Sequence, residues 1–468
     1  MPELTHLPYN FRRLDDYFVI SNYAGQHQYL SEGDFANICK SDFEKLDSET
    51  LSSIESKSFV SPVDEVELRQ RILSSKLATR IYSSLQPPGL FMVVPTLRCD
   101  HDCNYCQVSR ADYNAQGYDL DEKYINDIIK HIDFFSKDYA KVEFQGGEPL
   151  INFEFIKRFV SQAKITLKDK DVSFVIATAL GPITDEIIEW VDKEKIDLSI
   201  SIDGDEVLHN TNRPSKRINS FVNTQHTIRK IRSFYPNVSL SALSTVTRLS
   251  LEKPQAIVDT FLDLGFRDMF VRPLSPYGFA VDTWRKLGYS SDEFFEFYKE
   301  LLDIIVNYDG ELIEYNALLH LNRIFKQSNS HVDLKSPAGL IFGAMVFDYS
   351  GDIFGSDESR MLYKTTGSEE LILGNVSKNP KDLIKNKNLI AMLKDSFIEV
   401  NPGCCDCAYN QYCGADPIYH LSAQGDLIGD KSKSFFCDLE IKMFDYIFTK
   451  YYSDELYYRK FNEWLMMS

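Results

Sequence analysis

Apolar positions divide the chain into blocks with different periods. The first block holds two short runs, Tyr17–Ile20 and His27–Leu30, which read as strands around a turn carrying Asn22 and Gly25. Ser31 then caps a helix, with acidic Asp34 three residues later. Helical patterns follow over 42–55 and 62–85, and Gln86-Pro87-Pro88-Gly89 breaks them. From residue 90 the period alternates. Runs of strand length at 90–95, 141–145, 172–178, 196–202, 238–245 and 268–273 are separated by helical patterns at 121–136, 153–167, 184–192, 220–234 and 253–264. Strands alternating with helices predict an α/β fold whose parallel sheet curls into a full or partial barrel. Chemistry in such folds gathers at the C-terminal strand ends. Beyond 276 the chain reads as helical (292–308 and 315–327), then irregular and rich in Gly, Asn, Asp and Cys to Cys437, then helical again over 439–467.

Composition narrows the class. The chain has 468 residues, 44% hydrophobic and 26% charged, as in ordinary globular proteins. No apolar run approaches the ~18 residues of a membrane span, and the N-terminus does not read as a signal peptide, so the expected location is the cytoplasm. The formal charge of −18, without a dense Lys/Arg run, argues against nucleic acid as a partner and suits a neutral or cationic one. Seven of the nine cysteines fall in two short-spaced clusters, the pattern of metal ligands rather than of a disulfide scaffold. Cys39 stands apart and reads as a small buried residue in a helix.

Cys99, Cys103 and Cys106 directly follow the first barrel strand. Three thiolates can hold three irons of a [4Fe–4S] cube and leave the fourth open to a small molecule. A structural zinc would want four ligands, with His101 as the fourth. Gly146-Gly147-Glu148-Pro149 ends the second strand, Thr178 the third, and Ser201-Ile202-Asp203-Gly204 the fourth, with Arg213 ten residues on. Taken together, Cys-x3-Cys-x2-Cys with an aromatic before its last Cys and these strand ends resemble the radical S-adenosylmethionine (SAM) superfamily. The resemblance implies a partial (β/α)6 TIM-like barrel and a [4Fe–4S] cluster on the three cysteines. It further implies that SAM is bound by Gly146, Gly147 and Glu148, with Thr178, Ser201, Asp203 and Arg213 as further contacts. Reductive cleavage of SAM would then yield a 5′-deoxyadenosyl radical that takes hydrogen from the substrate. One departure is plain: relatives often continue Thr-Asn-Gly, where Ala179 and Leu180 follow Thr178 here.

Cys404, Cys407, Cys413 and Cys437 resemble the C-terminal SPASM domain of radical SAM peptide maturases, which usually carries two auxiliary clusters. Ser336, Ser356 and Pro417 stand where ligands of the first would be, so the resemblance implies one auxiliary [4Fe–4S] cluster and leaves Cys405 over. Four cysteines are also a standard zinc set. Asp357 follows Ser356 and corresponds to the proton-accepting Asp of sulfatase-maturing relatives, a candidate base. The N-terminal block resembles small RRE/PqqD-like winged domains that bind leader peptides by strand addition. The expected segments are therefore 1–88 for leader binding, 89–275 for the barrel, 276–335 for a helical bridge, 336–440 for the SPASM-like domain and 441–468 for a C-terminal helix.

Asn10-Phe11-Arg12-Arg13, the Asn22-x2-Gly25 turn and Cys106-Gln107-Val108-Ser109-Arg110 add a resemblance to the B-component maturase of His-Xaa-Ser systems. That family implies a precursor peptide with His-x-Ser repeats, a second radical SAM protein and a flavodoxin- or ferredoxin-like reductant. Two other readings compete: a sulfatase-maturase-like dehydrogenase acting on Cys or Ser, and a non-catalytic zinc-binding interaction protein.

Overall fold

The computed structural model describes residues 3–328, 336 and 340–468. Residues 1–2 of the expected leader-binding segment, 329–335 of the expected bridge, and Pro337, Ala338 and Gly339 lie outside the described residues.

The six runs read as strands all form strands, at Leu90–Thr96, Tyr139–Gly146, Asp171–Thr178, Asp197–Ser201, Leu240–Thr245 and Asp268–Arg272. They pair in parallel, each with its sequence neighbour. Ile313–Glu314 extends the sheet beyond the sixth strand. Beyond the first, Ala344–Phe347 adds in parallel, followed by antiparallel Asp352–Phe354 and Gly374–Asn375. The two ends of this ten-stranded sheet do not pair with each other, so the barrel is partial. Alternation along the second strand sorts its side chains: Val142 and Phe144 are fully buried, while Lys141, Glu143 and Gln145 line the lumen.

The N-terminal block holds its own core of Phe18, Ile20, Leu30, Phe35, Ile38 and their neighbours. Its three-stranded meander is Asn10–Leu14, Tyr17–Ser21 and His27–Ser31. Ser31 caps helix Glu32–Cys39 by accepting from the Asp34 N–H at 3.1 Å. Cys39 is exposed, contrary to expectation. The helix buries Phe35 and Ile38, three residues apart, and its last residue falls off that stripe.

Two other expectations need correction. The stretch read as irregular contains helices Asp357–Thr366, Pro380–Leu383, Lys387–Asp395 and Pro417–Gln424. Each is too short to show much periodicity but begins at a side-chain cap, from Ser356, Asn379, Asn386 and Asp416 respectively. The C-terminal segment is two helices, Phe435–Ser453 and Glu455–Met467, because Asp454 breaks the first and caps the second. Among the described residues no helix is long and apolar enough to cross a membrane.

Candidate active site

The first cysteine loop leaves the barrel at its C-terminal rim and is laced to the segment after the fourth strand. Asp102 N–H donates to the Pro214 carbonyl at 2.7 Å and Asn104 N–H to Asn212 at 3.1 Å. The Gly-Gly turn supports the loop from behind. Gly147 N–H donates to the Thr96 carbonyl at 2.9 Å and Glu148 N–H to Arg98 at 2.8 Å. A Cβ on Gly147 would sit 2.3 Å from the Arg98 oxygen, and Gly146 has φ +127°. These two glycines therefore serve close approach of strand and loop.

Buried polar groups ring the three thiols. Asp203 is fully buried and accepts from the Tyr105 hydroxyl at 2.7 Å and Arg213 Nε at 3.3 Å. Arg213 Nη1 stands 3.9 Å from Cys103 Sγ. On the other side, Glu148 accepts from Thr178 Oγ1 at 2.8 Å and Ala179 N–H at 2.9 Å. Burial first, and then the Asp100 carboxylate, push the Glu148 carboxyl up to about 8.

A hydrogen-bond chain joins both sides of the loop. The Asp203 N–H donates to His209 Nδ1 at 3.3 Å, which leaves the proton on Nε2. That nitrogen donates to Ser220 Oγ at 2.8 Å, so the hydroxyl donates onward to His101 Nε2, also at 2.8 Å. His101 Nδ1 then donates to Asp100 Oδ1 at 2.9 Å. All four side chains of this chain are buried. Nothing in the local sequence marked Ser220, His101 or His209 as partners.

Other expected residues fall as follows. Thr178 ends the third strand and orients Glu148. Leu180, two residues past Thr178, adopts φ +62°. Ser201 ends the fourth strand with its hydroxyl unbonded among the described residues, whereas the Asp203 carboxylate is committed to Tyr105 and Arg213. Asp357 starts its helix at the wall of the lumen, a cavity of about 790 Å³, and accepts from Arg360 Nε at 2.8 Å. Glu143 also lines this cavity, with no hydrogen bond among the described residues. Arg360 is a site residue that sequence reading missed.

Residues 93–260 match the radical SAM superfamily. That stretch is a radical SAM domain. Among curated relatives, an uncharacterised protein of Methanothermobacter thermautotrophicus is 24% identical over 222 residues, 47% of this chain and 80% of the relative. The radical SAM cyclopropyl synthase TigE of Paramaledivibacter caminithermalis is 23% identical over 353 residues, 71% of this chain and 68% of the relative. Similar solved structures include anSMEcpe with bound AdoMet, with TM-score 0.64 and 16% identity, covering 81% of this chain and 100% of that one. Streptococcus suis SuiB bound to precursor peptide SuiA has TM-score 0.54 and 16% identity, covering 92% and 98%. At such identities these structures speak for the fold.

Radical SAM domains use SAM and a [4Fe–4S] cluster, and the residues here fit both. Three thiols share one loop, and the thiol-side Arg213 suits an anionic group. The buried Glu148 and Asp100 carboxyls, with no Lys or Arg bonded to either among the described residues, suit an ammonium such as that of SAM. Zinc fits less well. Among the described residues, the trio of ligand atoms within 4.8 Å of one another is Cys99, Asp100 and His101, which includes only one of the three thiols.

The second set, Cys404, Cys407, Cys413 and Cys437, lines one small apolar pocket with Ile398, Phe436 and Phe444. Burial raises the Cys404 and Cys437 thiols to about 12 and about 11. Main-chain N–H groups of Tyr409 and Ala415 point at Cys407 and Cys413 Sγ, each at 3.4 Å. Cys405 lies outside the pocket, near Asp406. Ser336, Ser356 and Pro417 are used otherwise: Ser336 bonds Glu399, and the other two cap or start helices.

Proposed function

We propose that this protein is a radical SAM maturase that modifies a ribosomally made peptide in the cytoplasm, with a His-Xaa-Ser precursor as substrate. The observation that carries the reading is the three-thiol loop directly beyond the first barrel strand, with buried Glu148 and Arg213 on either side of it. When bound, the cluster and SAM supply a 5′-deoxyadenosyl radical that abstracts hydrogen from the substrate. The chain does the rest. Glu148 holds the ammonium of SAM, and Arg213 lies on the Cys103 side for its carboxylate. Asp357, at the wall of the lumen, is read as the base that accepts a proton from the residue being modified.

The second cysteine set is read as an auxiliary [4Fe–4S] site. Sulfurs around one zinc, with Zn–S of ~2.3 Å, stand roughly 3.8 Å apart. No three of these four thiols lie within 4.8 Å of one another among the described residues, so the cage is wider than a single zinc needs. The N-terminal block is read as the leader-binding domain, because Asn10–Leu14 is an edge strand of its meander, ladder-paired on one side only among the described residues. A second radical SAM protein and a flavodoxin- or ferredoxin-like reductant complete the proposed system.

The lumen position of Asp357 also favours a second reading, a sulfatase-maturase-like dehydrogenase. One experiment separates the two. Anaerobically reconstituted, dithionite-reduced protein is given SAM and either a His-x-Ser repeat peptide or a sulfatase-derived Cys/Ser peptide. 5′-Deoxyadenosine release with a mass change in the first peptide supports the maturase. Turnover of the second alone supports the dehydrogenase, and no release with either sinks both.

A further inference from the structure

Helix Asp357–Thr366 starts at the lumen and is pinned to the first cysteine loop. Gly278 N–H donates to Thr365 Oγ1 at 2.8 Å. Gly278 in turn packs on the loop so closely that a Cβ would lie 2.4 Å from the Gln107 oxygen and 2.9 Å from that of Cys106. One turn into this helix sits Arg360, with 0% exposure. Its Nε is committed to Asp357 at 2.8 Å. Its Nη1 is 3.8 Å from Asp348 Oδ1, too far for a hydrogen bond. Neither Nη1 nor Nη2 has a hydrogen-bond acceptor among the described residues.

That Asp348 oxygen is itself without a hydrogen-bond partner among the described residues, and Lys364 holds the other at 2.9 Å. Burial disfavours the guanidinium charge, but Asp357 and Asp348 more than restore it, and the Cys106 thiol lies within electrostatic range. Two buried charged donors left unsatisfied are a large expense in a fold, and such orphans call for a missing partner. The partner must be an acceptor, and an anionic one is favoured. The first-site group within its electrostatic range is the Cys106 thiol, which as a thiolate would help hold an anionic iron–sulfur group.

We propose that Arg360 is a positioning residue for the first site: Nη1 and Nη2 donate to sulfur of the iron–sulfur group on the Cys106 side while Nε fixes Asp357 at the lumen. The proposal rests on reading Cys99, Cys103 and Cys106 as cluster ligands. Its physical consequence is on redox poise. Charged donors to sulfur favour the more negative, reduced state, so Arg360 raises the midpoint potential. A lysine ammonium could not serve Asp357 and sulfur together in that planar arrangement.

The test is a redox titration of the full-length reconstituted protein, following the electron paramagnetic resonance signal that changes on adding SAM. D357N/R360M is compared with D357N, so that each variant keeps the Asp348–Lys364 pair and no carboxylate loses its only cation. The reduction equilibrium is expected to weaken at least tenfold, which is 59 mV more negative for one electron. R360K, read against the wild type, is expected to shift the same way by less, and it carries the test if the double variant fails to fold. An unchanged potential in a loaded variant overturns the proposal. So does an unchanged potential with a tenfold loss of SAM affinity, which would make the SAM carboxylate the acceptor. Failure of the wild type to bind iron at the triad would instead remove the parent reading, and iron analysis of a C99A/C103A/C106A variant distinguishes that case.

Discussion

The two cysteine sites differ less in their sulfur than in what surrounds it. Around Cys99, Cys103 and Cys106 lie Asp100, Glu148, Asp203, Arg213 and Arg360, all buried, and Arg360 keeps two donors unspent. Around Cys404, Cys407, Cys413 and Cys437 lie mainly apolar and aromatic residues, with main-chain N–H groups as the donors to sulfur. Burying a charge carries a penalty of several kcal/mol unless it is paired. Here Asp203 is paired with Arg213 and Arg360 with Asp357, while Glu148 has no cation beside it among the described residues. The second site lacks that investment and has a different tie. Asn10 donates to the Cys405 and Cys407 carbonyls at 3.0 and 3.1 Å, and Ser21 Oγ to Ala408 at 2.5 Å. The loop that carries these cysteines is thus the floor on which the N-terminal block stands.

The sharpest break in this comparison is a pair of substitutions. Cys103→Ala is expected to abolish SAM cleavage to background while leaving the N-terminal block docked. Cys413→Ala is expected to lower iron from about eight to about four per chain and to loosen the block, because metal binding and local folding are linked. Anaerobic iron analysis, 5′-deoxyadenosine release and limited proteolysis in the 86–89 linker read all three. Equal protease sensitivity in the two variants would erase the distinction drawn between the sites.

A second effect is set by Glu148. Its carboxyl is raised from 4.5 to about 8 by burial and then by Asp100, so below about pH 8 the free protein holds it protonated. An ammonium favours the ionised form. SAM affinity therefore rises with pH up to about 8, by at most about tenfold per unit, and a proton is released on binding. In the protein without SAM the sign reverses. The folded state binds more protons than the unfolded one between 4.5 and about 8, so stability falls as pH climbs through that window. Glu148→Gln is expected to flatten the affinity profile and to weaken SAM roughly tenfold or more. A slope that persists in Glu148→Gln would assign the proton to another group.

Legibility in the sequence followed the range of the interaction involved. The six barrel strands were readable because each is a dense apolar run of strand length between amphipathic helices, and the cysteine spacings because they are local. Arg360 was not, since an Arg in a short helix reads as a surface residue until the fold brings Asp348, Asp357 and the Cys106 loop around it. The strand Asn10–Leu14 was missed as a strand because Arg12 and Arg13 hide its alternation, and its pairing with Tyr17–Ser21 is what defines it. The His101–Ser220–His209 chain joins residues about 120 apart, and no local period announces it.

The smallest expected effect concerns Leu180, where the charged site meets the apolar core. A left-handed backbone costs a non-glycine residue about 1–2 kcal/mol, and Leu180 holds φ +62°. Its side chain is fully buried, which returns about 1.5–3 kcal/mol. Leu180→Gly removes both and adds about 0.5–1 kcal/mol of unfolded-state entropy. The balance is a net loss of about 1.5 kcal/mol, taking midrange values. SAM affinity should hardly move, because the Leu180 contact to Thr178 runs through its main-chain N–H, at 2.8 Å, which glycine keeps. A urea midpoint that rises would mean that backbone strain outweighs packing at this turn. A fall in SAM affinity without a fall in stability would mean that the leucine side chain itself shapes the pocket around Glu148.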